Sequence, residues 1–253
     1  MPEDSSDSQT KSPDLLEMWD DLCAMVGDEL MPAGLEGAVL EPLGAIASAA
    51  GLIDHSFSSD NFNDRKVAAT LAGHLEKPEP DLLEKLFSHE SARDKELAPD
   101  DLKRLECQSV VEDIVFAAAR WCRRPELRDS GETLLKQVVS ETVQGSYWNT
   151  ASYAMAVLCY HQSPGSKELL DQFEHFCLPT NGSKPNPPAH PSAPTLEQEA
   201  RFARGLAEGD PRTLSAIDQL LDEKDEACKN VAWSKENADW LEQFFTAARN
   251  ASG

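Results

Sequence analysis

Basic residues are nearly missing from the first quarter of this chain, where residues 1–60 hold Lys11 alone against 13 acids. Over all 253 residues there are 45 acids and 23 bases, a formal net charge of −22. Affinity for nucleic acid comes largely from Lys and Arg displacing phosphate counterions, so direct binding to DNA or RNA is not expected. Long apolar runs are missing too. Even the uncharged stretch SYWNTASYAMAVLCYHQSPGS (146–166) is interrupted by Ser146, Asn149, Thr150, Ser152, His161 and Gln162. It falls well short of the roughly 20 apolar residues that a membrane span needs, and reads instead as a buried helix. The N-terminal MPEDSSDSQTKSP is acidic where a secretory signal would be basic and then apolar. The expectation is a cytoplasmic protein with no membrane contact.

Chemistry-bearing motifs are equally sparse. The sequence has no GxGxxG, P-loop, GxSxG or HExxH, and no glycine-rich phosphate cradle among its 13 glycines. Its six cysteines (Cys23, Cys107, Cys122, Cys159, Cys177 and Cys228) include no CxxC pair and read as small buried thiols of a reducing compartment. The nearest approach to a metal set is Cys159-Tyr160-His161 with His175-Phe176-Cys177. Zinc accepts those ligand types, but residues two apart on a helix point about 200° apart, so the set does not close on one ion. Glu112 and Asp113 interrupt the apolar run CQSVVEDIVFAAARW. A structural ion pair, for example with Arg120, is the expected role, and a catalytic carboxylate the alternative. No catalytic residue, metal or cofactor is assigned.

What the sequence does contain is helical period. Leu15, Leu16, Trp19, Leu22, Cys23 and Val26 form one stripe behind the N-cap pair Ser12-Pro13. The same spacing returns in leucine-rich runs at Leu82–Phe87, Leu134–Val139, Leu169–Cys177 and Leu214–Leu221. Each follows a proline, and helices richer in small residues lie between them: VAATLAGHL (67–75), VFAAARWC (115–122), YAMAVLCYH (153–161) and ARFARGLA (200–207). Sustained strand alternation is scarce. The prolines Pro32, Pro78, Pro125, Pro164 and Pro211 are spaced by 46, 47, 39 and 47 residues. This period and helix–turn–helix layout resemble HEAT or armadillo repeats, whose unit is about 40 to 47 residues, most clearly over residues 61–177. The resemblance implies an all-α α-solenoid of helical hairpins. An irregular multi-helix bundle would bury the same helices and stays open. The expected organisation is a disordered acidic N-terminus (1–12), a helical-repeat domain (13–177), a proline-rich linker or loop (178–194), and a C-terminal helical hairpin plus final helix (195–253) packed on the repeat domain.

Function is read from charge. Residues 61–130 hold 15 acids and 12 bases, nearly balanced, and more than half of the acidic excess lies in the first 60 residues. An acidic field steers a basic protein partner, with Asp14, Glu17, Asp20, Asp21, Asp28 and Glu29 as candidate contacts. A solvated face that aids solubility, or adaptation to salt, is the plainer alternative. The one basic cluster, RWCRRPELR, offers Arg120, Arg123, Arg124 and Arg128 to an anion, or to the free carbonyls at a helix C-terminus, which is the preferred role. The expected function is a non-catalytic, acidic adaptor or inhibitor, of immunity type among others, that engages a basic partner. The alternatives are a scaffold or partner-specific chaperone, and an enzyme with an unrecognised site in a helical scaffold. A further alternative takes SPDLLEMWDDLCAMV as a detachable helix for another protein's groove; a first core helix is preferred.

Overall fold

The computed structural model describes residues 16–21, 51–98, 100–142, 148–178 and 194–216, with single positions at 219, 243, 246, 247 and 250. The protein is all-α: no strand occurs among the described residues. The principal helices are α1 (Leu52–Phe57), α2 (Phe62–Ala72), α3 (Leu82–Glu96), α4 (Lys103–Cys122), α5 (Arg128–Thr142), α6 (Trp148–Tyr160), α7 (Ser166–Cys177) and α8 (Leu196–Glu208). Residues 16–21 and 211–216 are also helical. The expected disordered segment 1–12, nearly all of the proline-rich 178–194, and most of the chain beyond 216 lie outside the described residues.

Helix boundaries follow local chemistry. Asn61 opens α2 by accepting the Asn63 amide at 3.0 Å. Thr195 and Gln198 form a reciprocal capping box at the start of α8, which ends on Gly209 at φ 73. Pro78, Pro125 and Pro164 sit in the turns before α3, α5 and α7, and Pro211 is the first residue of the helical stretch 211–216. At these places a missing amide donor breaks no helical hydrogen bond.

The small-residue helices pack on one another in succession: α2 on α4, α4 on α6, and α6 on α8. The leucine-rich α3, α5 and α7 lie against these, α3 on α4, α5 on both α4 and α6, and α7 chiefly on α8. Two glycines set the closeness on either side of α4. A Cβ on Gly73 would stand 2.9 Å from the Ala117 Cα, and one on Gly131 would stand 2.8 Å from the Ala118 carbonyl oxygen. No alanine fits at either place without moving backbone. The uncharged helix α6 is covered by α4, α5, α7 and α8, and Ala151, Ala154, Met155, Leu158 and Cys159 are fully buried. Charge is missing there because almost no face of the helix reaches water.

Arginines tie these helices together. Arg65 on α2 pairs with Glu90 on α3 at 2.8 Å, with both side chains buried, and also donates to the Ser59 and Asp60 carbonyls. Arg104 on α4 grips buried Asp94 of α3 with two hydrogen bonds of 3.0 and 2.8 Å. Arg204 on α8 reaches Glu174 and Asp171 on α7. The carboxylates beside it hold its pKa above the usual guanidinium range.

Candidate functional site

The acidic set splits at the edge of the described residues. Asp14, Asp28 and Glu29 lie outside them. Glu17, Asp20 and Asp21 lie on the helical stretch 16–21 and are exposed, while Met18 and Trp19 between them are buried. The Trp19 indole N–H donates to the Ser56 hydroxyl of α1, 37 residues away in sequence. One side of this stretch is therefore fixed in the core, and the other presents three carboxylates, none in an ion pair with a described residue.

The arginine cluster occupies the α4–α5 turn and turns mostly inward. Arg124 donates to the Leu75 and Glu76 carbonyls just past the end of α2, and to Glu126 at 3.0 Å. Arg128 donates to Glu132 at 3.1 Å and to the His161 carbonyl at 3.3 Å, just past the end of α6. Carbonyls of the chain just past two helix ends are thus met by side chains from a third turn. Arg120 is half-buried and has an interaction of its own, whereas Arg123 is exposed. Beside the cluster, His74 is lowered to about 4, first by burial and then by the Arg120 charge. His161 is lowered for the same reasons, with Arg128 as its main cationic neighbour.

The residues singled out for catalysis or metal binding do not converge. Cys159 and Cys177 are buried, His161 is held at Arg128, and His175 is exposed. Among the described residues, no group of three His, Cys, Asp or Glu side chains is arranged to hold a metal ion. Burial raises the Cys122, Cys159 and Cys177 thiols to about 12 and Cys107 to about 11. All four are protonated at neutral pH and are poor nucleophiles. Glu112 is exposed on α4, and Asp113 is half-buried with a contact of its own.

Sequence reasoning marked the Pro164 turn between α6 and α7 but not the cavity of about 500 Å³ that opens there against Ser163 and the first residues of α7. Its only sequence signal is Ser163-Pro164-Gly165-Ser166, a turn that leaves the next helix without a side-chain cap. No family model, curated protein or solved structure matches the chain. No described helix is long and apolar enough to cross a membrane.

Proposed function

We propose that this protein is a non-catalytic binding module, an acidic adaptor or inhibitor on a helical-repeat scaffold, that engages a basic protein partner. The single observation that carries the proposal is the exposed trio Glu17, Asp20 and Asp21 on a stretch anchored by buried Trp19. Carboxylates held on a fixed backbone, without a paired cation among the described residues, keep their field for an outside partner. The buried and half-buried acids of the helical body differ in part, since Glu90, Asp94, Glu132 and Glu174 already have arginines. The repeat part of the proposal draws on the recurring proline spacing and on the alternation of small-residue and leucine-rich helices. A stack of this kind offers an extended surface to a protein partner.

The test is affinity capture from the native cell at low salt, with the wild type beside the Glu17→Gln, Asp20→Asn, Asp21→Asn variant. The expected outcome is a basic protein retained by the wild type, released by added salt, and depleted on the variant. A retained partner that is acidic, or one held equally by both proteins at every salt concentration, overturns the proposal.

A further inference from the structure

The two most exposed large apolar side chains among the described residues stand one helix turn apart: Leu102 at 78% and Leu105 at 62%. Leu102 is the N-cap of α4, and Leu105 lies three residues on, along the same side of the helix. The far side of α4 is in the core, beginning with Cys107, Val110 and Val111. Leucine, lysine, arginine and glutamate have similar helix propensities, so the helix itself does not ask for leucine at either place. Single exposed leucines are ordinary on a protein surface. Two side by side form an apolar patch.

The patch is fixed in place and flanked by acid. Asp101 accepts the Lys103 amide at 2.9 Å, and Arg104, between the two leucines in sequence, holds buried Asp94 through two hydrogen bonds. The first turn of α4 is thereby tied to α3. Asp100 and Asp101 precede the patch and Glu106 follows Leu105; all three are exposed or half-buried, and none is in an ion pair with a described residue. Of the neighbouring bases, Lys95 is taken by Glu141 and Arg104 by Asp94, so Lys103 alone faces these acids. An apolar centre with a polar rim is the anatomy of a protein-binding surface, and the sign of this rim selects a basic occupant.

Other occupants fit less well. A second copy docked about a two-fold axis would set each acidic rim against the other. Residues 1–60, with one base for 13 acids, offer no complement. Anionic lipid headgroups would be repelled. The patch is also joined to the acidic stretch 16–21 through α1 and α3, since Trp19 donates to Ser56, the Phe57 and His89 rings meet edge-on at 5.1 Å, and Asp60 pairs with Arg93 at 3.0 Å.

We propose that Leu102 and Leu105 are the apolar anchor of the interface, docking a segment of the basic partner that carries apolar side chains beside lysine or arginine. This rests on the basic partner inferred above and adds what charge alone does not supply, since burial of the leucines persists at salt concentrations that screen the acids.

The probe is a peptide of leucine and lysine in helical period, titrated into the full chain and followed in its amide ¹H–¹⁵N spectrum. A serine–lysine peptide of the same charge and a leucine–glutamate peptide of the same period are the comparisons. The leucine–lysine peptide is expected to give saturable shifts at residues 102–106, the serine–lysine peptide to bind about tenfold more weakly, and the leucine–glutamate peptide to give none there. Leu102→Gln with Leu105→Gln, which keeps helix propensity, should weaken the leucine–lysine peptide about tenfold and leave urea unfolding unchanged. Leu102→Met with Leu105→Met should retain binding. The Glu17→Gln, Asp20→Asn, Asp21→Asn variant should keep the shifts at 102–106, so that failure of the acidic stretch is read apart from failure of this surface. Absence of saturable shifts at 102–106 overturns the proposal, as does equal binding by either comparison peptide or by the glutamine variant. So does a wild-type dimer that the glutamine variant fails to form, or co-sedimentation of the wild type alone with phosphatidylcholine vesicles.

Discussion

The buried carboxylates of the helical body and the exposed ones at residues 16–21 are used in opposite ways. In the body, Glu90 and Asp94 of α3 are buried and taken by Arg65 and Arg104, and Glu174 of α7 is taken by Arg204. At 16–21 the buried work is done by Trp19 and Met18, and the acids face water. Composition foreshadows the difference, because residues 61–130 supply 12 bases for 15 acids while residues 1–60 supply one base for 13. Net charge alone does not separate the acids that serve the fold from those that face water; the burial and pairing of each carboxylate do.

The largest expected effect comes from breaking a body pair. Arg65→Ala leaves Glu90 buried without its cation and should cost about 3–5 kcal/mol by urea unfolding. Arg65→Met with Glu90→Leu should recover most of that loss, since an apolar pair of similar volume needs no charge compensation. The next effect is a pH dependence. His74 titrates at about 4 in the folded chain against an ordinary 6.5. Between those values the unfolded chain binds the additional proton, so acidification from pH 6.5 toward 4 removes stability, on the order of 3 kcal/mol at the lower end. His74→Gln should flatten that part of the stability–pH curve. If wild type and variant lose stability in parallel, the burial assigned to His74 is wrong.

Smaller effects sharpen the same comparison. Thr195→Ala removes half of the capping box of α8 and should cost about 1 kcal/mol, seen as earlier thermal unfolding. The smallest is expected at the acidic stretch. Glu17→Gln, Asp20→Asn and Asp21→Asn together should move stability by no more than about 0.5 kcal/mol, because exposed acids with no partner among the described residues contribute little to folding. A loss of several kcal/mol there would mean that these acids serve the fold after all.

Much of the all-α fold was legible in the sequence because its signals are local. Period, prolines and caps mark the elements, and the contrast between VAATLAGHL or YAMAVLCYH and the leucine-rich runs separates helices that pack on one another from those that lie against them. Arg124 and Arg128 meet backbone carbonyls, but not those at the end of the helix they follow; their partners were not legible, since Leu75 lies 49 residues before Arg124 and His161 lies 33 after Arg128. The Arg65–Glu90 pair was hidden for the same reason: both residue types are ordinary on an acidic helical surface, and only folding puts them inside. Ser163 reads in sequence only as part of a turn beside proline and glycine, and the burial of its hydroxyl becomes visible only in the folded chain.

The most direct test of the central claim is the affinity of the purified complex with its captured partner, measured against salt for the wild type and for the Glu17→Gln, Asp20→Asn, Asp21→Asn variant. The account predicts a wild-type affinity that falls steeply with salt, and a variant that binds more weakly at low salt and falls less steeply. Identical affinities and identical salt slopes for the two proteins would contradict it.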